Sequence, residues 1–195
     1  MQNEMLTFTS GGYRRLASFQ VSQLIYDLTV IFVKRFVDQK SRTCDQMVQA
    51  ARSGVQNIAE GSAASATSKK IELVLTNVAR ASLEELLNDY MDFLRQRDIS
   101  PLPPQDPIIR EFRQLHIKSI AEFRNFVNQT SRSEAFFASQ SPSCRAAQLL
   151  ITLINQAQYL LHHQINRLQA DFIRQGGFSE KMKTMRAKYR PQSEN

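Results

Sequence analysis

Ala50-Ala51-Arg52-Ser53-Gly54-Val55-Gln56-Asn57-Ile58-Ala59-Glu60-Gly61, followed by Thr67-Ser68-Lys69-Lys70, is the stretch that decides the fold. It reads as the end of one helix, a glycine break at Gly61, and the capped start of the next helix. Ala50, Ala51, Gly54, Ala59 and Gly61 are small enough to let a neighbouring helix approach closely. Asn57 and Glu60 are three apart and share one helix surface. If that surface is buried they need partners, whether each other or the caps of neighbouring helices, because an unpaired buried charge is costly. The stretch holds no nucleophile–base pair and no metal-ligand spacing. It speaks of architecture before chemistry.

Working outward, apolar residues recur at helical steps almost everywhere. Leu16, Phe19, Leu24, Leu28, Ile31, Phe32 and Phe36 mark a helix over 13–39. Ser41 or Thr43 caps a second over 43–61, with Met47, Ala51, Val55 and Ile58 inward. Thr67 or Ser68 opens a third over 67–97, which the prolines between 98 and 107 end. Asp106-Pro107 caps an additional helix over 107–128. Ser141-Pro142 opens a long last helix over 142–175, and Gly176-Gly177 stops it. No strand pattern competes, and the short links between the first three helices favour antiparallel neighbours. The expectation is an all-α, antiparallel up-and-down four-helix bundle. It spans 13–175, carries an inserted helical segment 101–140, and is followed by a basic C-terminal extension 176–195.

Composition agrees with one helical domain. The chain has 195 residues, 42% of them hydrophobic, and only six glycines and six prolines. The formal net charge is +7, which suits acidic partners. The excess is lopsided: residues 1–100 carry 12 Lys/Arg against 11 Asp/Glu, and residues 101–195 carry 13 against 7. Two cysteines, Cys44 and Cys144, provide neither a disulfide framework nor a zinc site. With no signal-peptide pattern and no membrane-length apolar run, a cytoplasmic protein without a membrane partner is expected.

Several constellations point away from an enzyme. His162 and His163 are preceded three residues earlier by Tyr159 and Leu160, and His116 by Arg113, so the Glu-x-x-His pattern of a di-iron bundle is absent. His162 and His163 belong at the solvent edge of the core. Glu84, Glu85, Asp89 and Asp92 lie on one amphipathic helix and read as a solvated or intersubunit face rather than an acid–base pair. No phosphate loop or nucleophile elbow occurs. No catalytic residue, metal or cofactor is therefore expected.

Gln56-Asn57-Ile58-Ala59-Glu60-Gly61, the Ser/Thr-Lys-Lys that follows and Leu83-Glu84-Glu85-Leu86-Leu87 resemble the bacterial four helix bundle proteins, also called the 23S rRNA intervening-sequence protein family. Gln156 to Leu161 with Gly176-Gly177-Phe178-Ser179-Glu180 is similar to the subset carrying a four helix bundle suffix domain. The resemblance covers about 13–97 and 145–185; the 101–140 insertion and the basic tail depart from it. It implies a cytosolic, ring-like homo-oligomer, commonly a pentamer. The similar accessory proteins of diversity-generating retroelements imply nucleic acid and a reverse transcriptase as partners.

The charge asymmetry and the resemblance together suggest a non-enzymatic oligomeric scaffold that binds nucleic acid, RNA first, through its basic surfaces. The candidate contacts are Arg110, Arg113, Lys118 and Arg124 of the insertion and Lys181, Lys183, Arg186, Lys188 and Arg190 of the tail, where Phe178 and Tyr189 offer stacking. Gly54, Asn57, Glu60 and Gly61 are the structural motif. The alternative is a protein-interaction module, such as an accessory subunit of a reverse transcriptase. Leu149, Leu150, Leu153, Ile154, Leu160, Leu161 and Ile165, with Val21, Ile25 and Val33, give the last and first helices more apolar surface than one face needs. That surplus marks an oligomer interface unless the 107–128 helix covers it. Light scattering separates the two: a ring gives several times the 22.4 kDa of one chain, and a mass near one chain rules the ring out.

Overall fold

The computed structural model describes residues 12–130, 139–175 and Lys183. Among them every regular element is helical. A short 3-10 turn, Gly12–Arg15, precedes α1 (Ala17–Phe36), α2 (Arg42–Ala64), α3 (Lys69–Arg95), α4 (Pro107–Gln114), α5 (Ile120–Thr130) and α6 (Pro142–Gln175). The long helices touch in a closed order: α1 on α2, α2 on α3, α3 on α6 and α6 on α1.

Each boundary has a local cause. Helix α1 begins at Ala17 rather than Tyr13 because Leu16 is extended and its N–H turns back to the Tyr13 carbonyl at 2.9 Å. It stops at Phe36 because Val37 is extended. Gln39, expected inside the helix, caps it instead: its amide donates to the carbonyls of Val33 and Val37. Ser41 caps α2 through the Thr43 N–H, and Ser68 caps α3 through the Ile71 N–H. A left-handed Asp98 (φ 56°) closes the end of α3, and the Ile99 N–H reaches back to the Leu94 carbonyl.

The glycine motif behaves differently from its sequence reading. Gly61 is no break: α2 runs through it to Ala64, and Gly54 and Gly61 are both buried inside the helix. Their role is close approach. A Cβ on Gly54 would lie 2.8 Å from Leu83 Cδ2, and one on Gly61 would lie 3.3 Å from the Glu72 carbonyl oxygen. Glycine costs a helix interior about 1 kcal/mol against alanine, so its presence twice reports how near α3 lies. Asn57 meets neither Glu60 nor a neighbouring cap. Its amide donates to the Ser53 carbonyl and hydroxyl one turn earlier, and Glu60 is exposed.

The expected single helix over 107–128 is two helices. Asp106 caps α4 through the Ile108 N–H, and the break falls at His116 (φ 46°). Ser119 then accepts from the Glu122 N–H, and the Glu122 carboxylate accepts from the Lys118 N–H at 2.7 Å. This capping box is a competing start signal strong enough to reset the helix. Phe112 of α4 meets Phe123 and Phe126 of α5 edge-on, so the pair folds back on itself.

That pair covers the surplus apolar surface. Helix α4 lies on α6, and α5 lies on both α1 and α6. Leu149, Leu150, Leu153, Ile154, Leu161 and Ile165 are buried within the single chain, as are Ile25 and Val33; Val21 and Leu160 are partly buried. The insertion shares the main core and is not an appendage. At the core's centre Phe32 packs edge-on against Tyr90 and Phe93, and the fully buried Tyr90 hydroxyl donates to Thr29 at 3.0 Å. Buried Gln148 ties the proline-rich loop to α6, accepting from the Leu102 N–H and donating to the Ser100 carbonyl.

Gly54→Ala is expected to lower stability by about 1 kcal/mol or more, since overpacking costs about 1–3 kcal/mol and the helix-propensity gain returns at most about 1. In denaturant unfolding, Leu83→Ala should cost less in the Gly54→Ala background than alone. Additive effects would contradict the close approach.

Candidate nucleic-acid interface

The predicted cations separate into several places. Arg110 and Arg113 stand exposed on α4, Lys118 is exposed in the α4–α5 turn, and Arg124 is exposed on α5. Lys118 lies at a cleft lined also by Asp27 and His116. Lys183 is exposed; Lys181, Arg186, Lys188 and Arg190 lie outside the described residues, as does Gly176-Gly177.

Arg124 has company that sequence reasoning missed. Helix α5 sets it at a cleft of about 270 Å³ together with Arg35 of α1 and Arg145 of α6. The floor is apolar, built largely from Ile31, Phe36, Phe123 and Val127. Arg35 lies over the Phe36 ring at 5.4 Å from its centroid, and Arg145 donates to the Gln140 carbonyl at 2.7 Å. The ion pairs among the described residues are Lys69–Glu72, Asp92–Arg95 and Asp171–Arg174. Neither Arg35 nor Arg124 has a carboxylate partner among the described residues. Two exposed guanidinium groups, Arg35 and Arg124, beside an apolar surface make a site for an anion joined to a flat apolar body, with Arg145 held in the wall by Gln140. Each planar fork matches two phosphate oxygens, and the floor accepts a base or ring.

Elsewhere the titratable groups are less concentrated. His162 and His163 are exposed on α6, with His162 3.0 Å from Asn166 and His163 edge-on to Tyr159. Cys44 and Cys144 are buried free thiols. Among the described residues no group of three His, Cys, Asp or Glu is placed to hold a metal, and no helix is long and apolar enough to cross a membrane.

The acidic row of α3 is mostly solvated. Glu84 accepts from Gln158, Glu85 is exposed, and Asp92 pairs with Arg95. Asp89 differs: one carboxylate oxygen is buried with no hydrogen-bond partner. Its pKa is pushed up to about 6, first by desolvation and then by Glu85 and Asp92. A raised folded-state pKa means the fold favours the protonated acid, so this group's penalty is absent below about pH 3.8, grows as pH rises from there to about 6 and is complete above that. The rest of the side chain reaches solvent, so screening holds the effect to about 1 kcal/mol. Asp89→Asn should therefore stabilise the protein at pH 7.5 by about that much and by almost nothing near pH 3, below the ordinary value of 3.8. A gain that is the same at both pH values would refute the assignment.

Comparison with known protein families finds no match. No characterised protein and no solved structure matches significantly either.

Proposed function

We propose that this chain is a non-enzymatic helical scaffold that binds single-stranded nucleic acid, RNA in the first instance. The observation that carries the reading is the cleft lined by exposed Arg35 and Arg124 together with apolar Ile31, Phe36, Phe123 and Val127. Arg110, Arg113 and Lys118 add exposed cations elsewhere on the same inserted segment. The frame is an antiparallel up-and-down bundle of α1, α2, α3 and α6. Its support is the order of the contacts: Ser18 with Gln164, Ser53 with Ser82, and Glu84 with Gln158. A cytoplasmic homo-oligomer would present the cleft in several copies. Five copies is the number the resemblance implies; the surfaces first assigned to such a ring lie inside the chain. The alternative reading, a protein-interaction module such as a reverse-transcriptase accessory subunit, draws on the exposed apolar residues of α3. A purified protein that carries a protein partner and no nucleic-acid absorbance would favour that alternative.

Backbone recognition of a single strand releases counterions, with a salt slope of about 0.7 per phosphate neutralised. Arg35→Gln/Arg124→Gln should weaken binding of a mixed-sequence single-stranded RNA about tenfold at low salt and flatten the log–log salt slope by about 1.4. Both side chains are exposed, so the melting temperature should stay unchanged. Unaltered affinity and slope in this variant would overturn the assignment of the cleft.

A further inference from the structure

Met91, Leu115, Tyr159 and Ile173 are large apolar side chains exposed singly, whereas three others share one helix face. Ile71, Val74 and Val78 are 49%, 52% and 41% exposed, and all lie in the first half of α3 with exposed Ala81. Their spacing is three, four, three, which keeps them on one seam of the helix, turned away from the buried row Glu72, Thr76, Ala79 and Leu83. The seam continues through Glu85, Asn88 and Asp92, all exposed and none apolar. Charge is segregated in the same sense. With Lys69 paired to Glu72 and Asp92 paired to Arg95, the charges left over are Lys70 and Arg80 in the apolar half and Glu84, Glu85 and Asp89 in the other half.

We infer that this seam of α3 docks against the same seam of a second copy of the chain, across a two-fold axis between Val74 and Val78, at the level of residues 76 and 77. Running the helices antiparallel matches the charge pattern to itself, as an isologous contact must. Ile71 then faces Ala81 of the other copy, and Val74 faces Val78 of the other copy. The same register sets Lys70 against Glu84 of the other copy, twice by symmetry. A parallel pairing would instead set acid against acid along Glu84, Glu85 and Asp92. The patch is four side chains per copy, well below the roughly 800 Å² per partner of standard complexes. The dimer is therefore reversible and concentration-dependent. This contact is separate from the arginine cleft and does not rely on nucleic-acid binding.

Sedimentation of the full chain from about 1 µM to about 500 µM tests the inference, because mass action must drive the pairing. The mass should rise toward twice that of one chain. Val78→Glu should keep it at one chain while helical signal and melting temperature hold, since the residue is exposed. Lys70→Glu alone and Glu84→Lys alone should each raise the dissociation constant about tenfold by placing like charges opposite one another. The double variant Lys70→Glu/Glu84→Lys should restore it. A mass of one chain at the highest concentration overturns the proposal. So does a five-chain mass, or a double variant no better than either single one. A monomer that Val78→Glu destabilises would assign the seam to contacts within the same chain, and that result also overturns it.

Discussion

The approach of α2 to α3 at Gly54 and Gly61 is the constraint on which the remaining packing depends. Two helices separated by ordinary side chains sit about 8–10 Å apart, and a missing side chain at each of two positions two turns apart lets Leu83 and the Glu72 backbone close that gap. With α3 drawn in, Tyr90 reaches across to Thr29 and forms the edge-on contact with Phe32 that joins α1 to α3. Were α3 further out, the Tyr90 hydroxyl would stay buried and unpaired, at a cost of about 1–3 kcal/mol. The close pair thus fixes where the aromatic centre of the core can be.

Helix identity was legible in the sequence because the apolar period, the Ser41, Ser68, Asp106 and Ser141 caps and the proline block all agree. What escaped reading has particular causes. Gly61 carries both a stop signal and a close-packing signal, and only the position of α3 tells them apart. The 107–128 pattern is helical throughout, yet Ser119-x-x-Glu122 restarts the helix there; that signal was on the page and outweighed by the apolar period. Gln39 looked helical by composition but acts through its side-chain amide on the preceding carbonyls.

The candidate site was half legible. Arg124 was recognised from the charge excess of the second half, together with Arg110, Arg113 and Lys118, which lie outside the cleft. Arg35 and Arg145 were not, because each is an unremarkable cation on its own helix and they meet only when α5 lies across α1 and α6. Charge arithmetic finds which half of a chain is basic. It does not find convergence, which is a property of the packing. The raised pKa of Asp89 escaped for the same reason: an acid among acids looks solvated until one of its oxygens is found buried.

The order in which the core closes has a consequence for synthesis. Gln148 completes the hydrogen bonding of the Ser100–Leu102 backbone from 46 and 48 residues further along the chain, and α6 contributes the wall that α1 and α3 both need. A ribosome adds about 5–20 residues each second. A nascent chain that has emerged as far as Asp106 therefore holds α1, α2 and α3 with one apolar flank open for several seconds. Helices α4 and α5 come next and have little to rest on until α6 follows. The wall that closes the core is thus the last to be synthesised, and the apolar flank that α1 and α3 turn toward it has no cover until then.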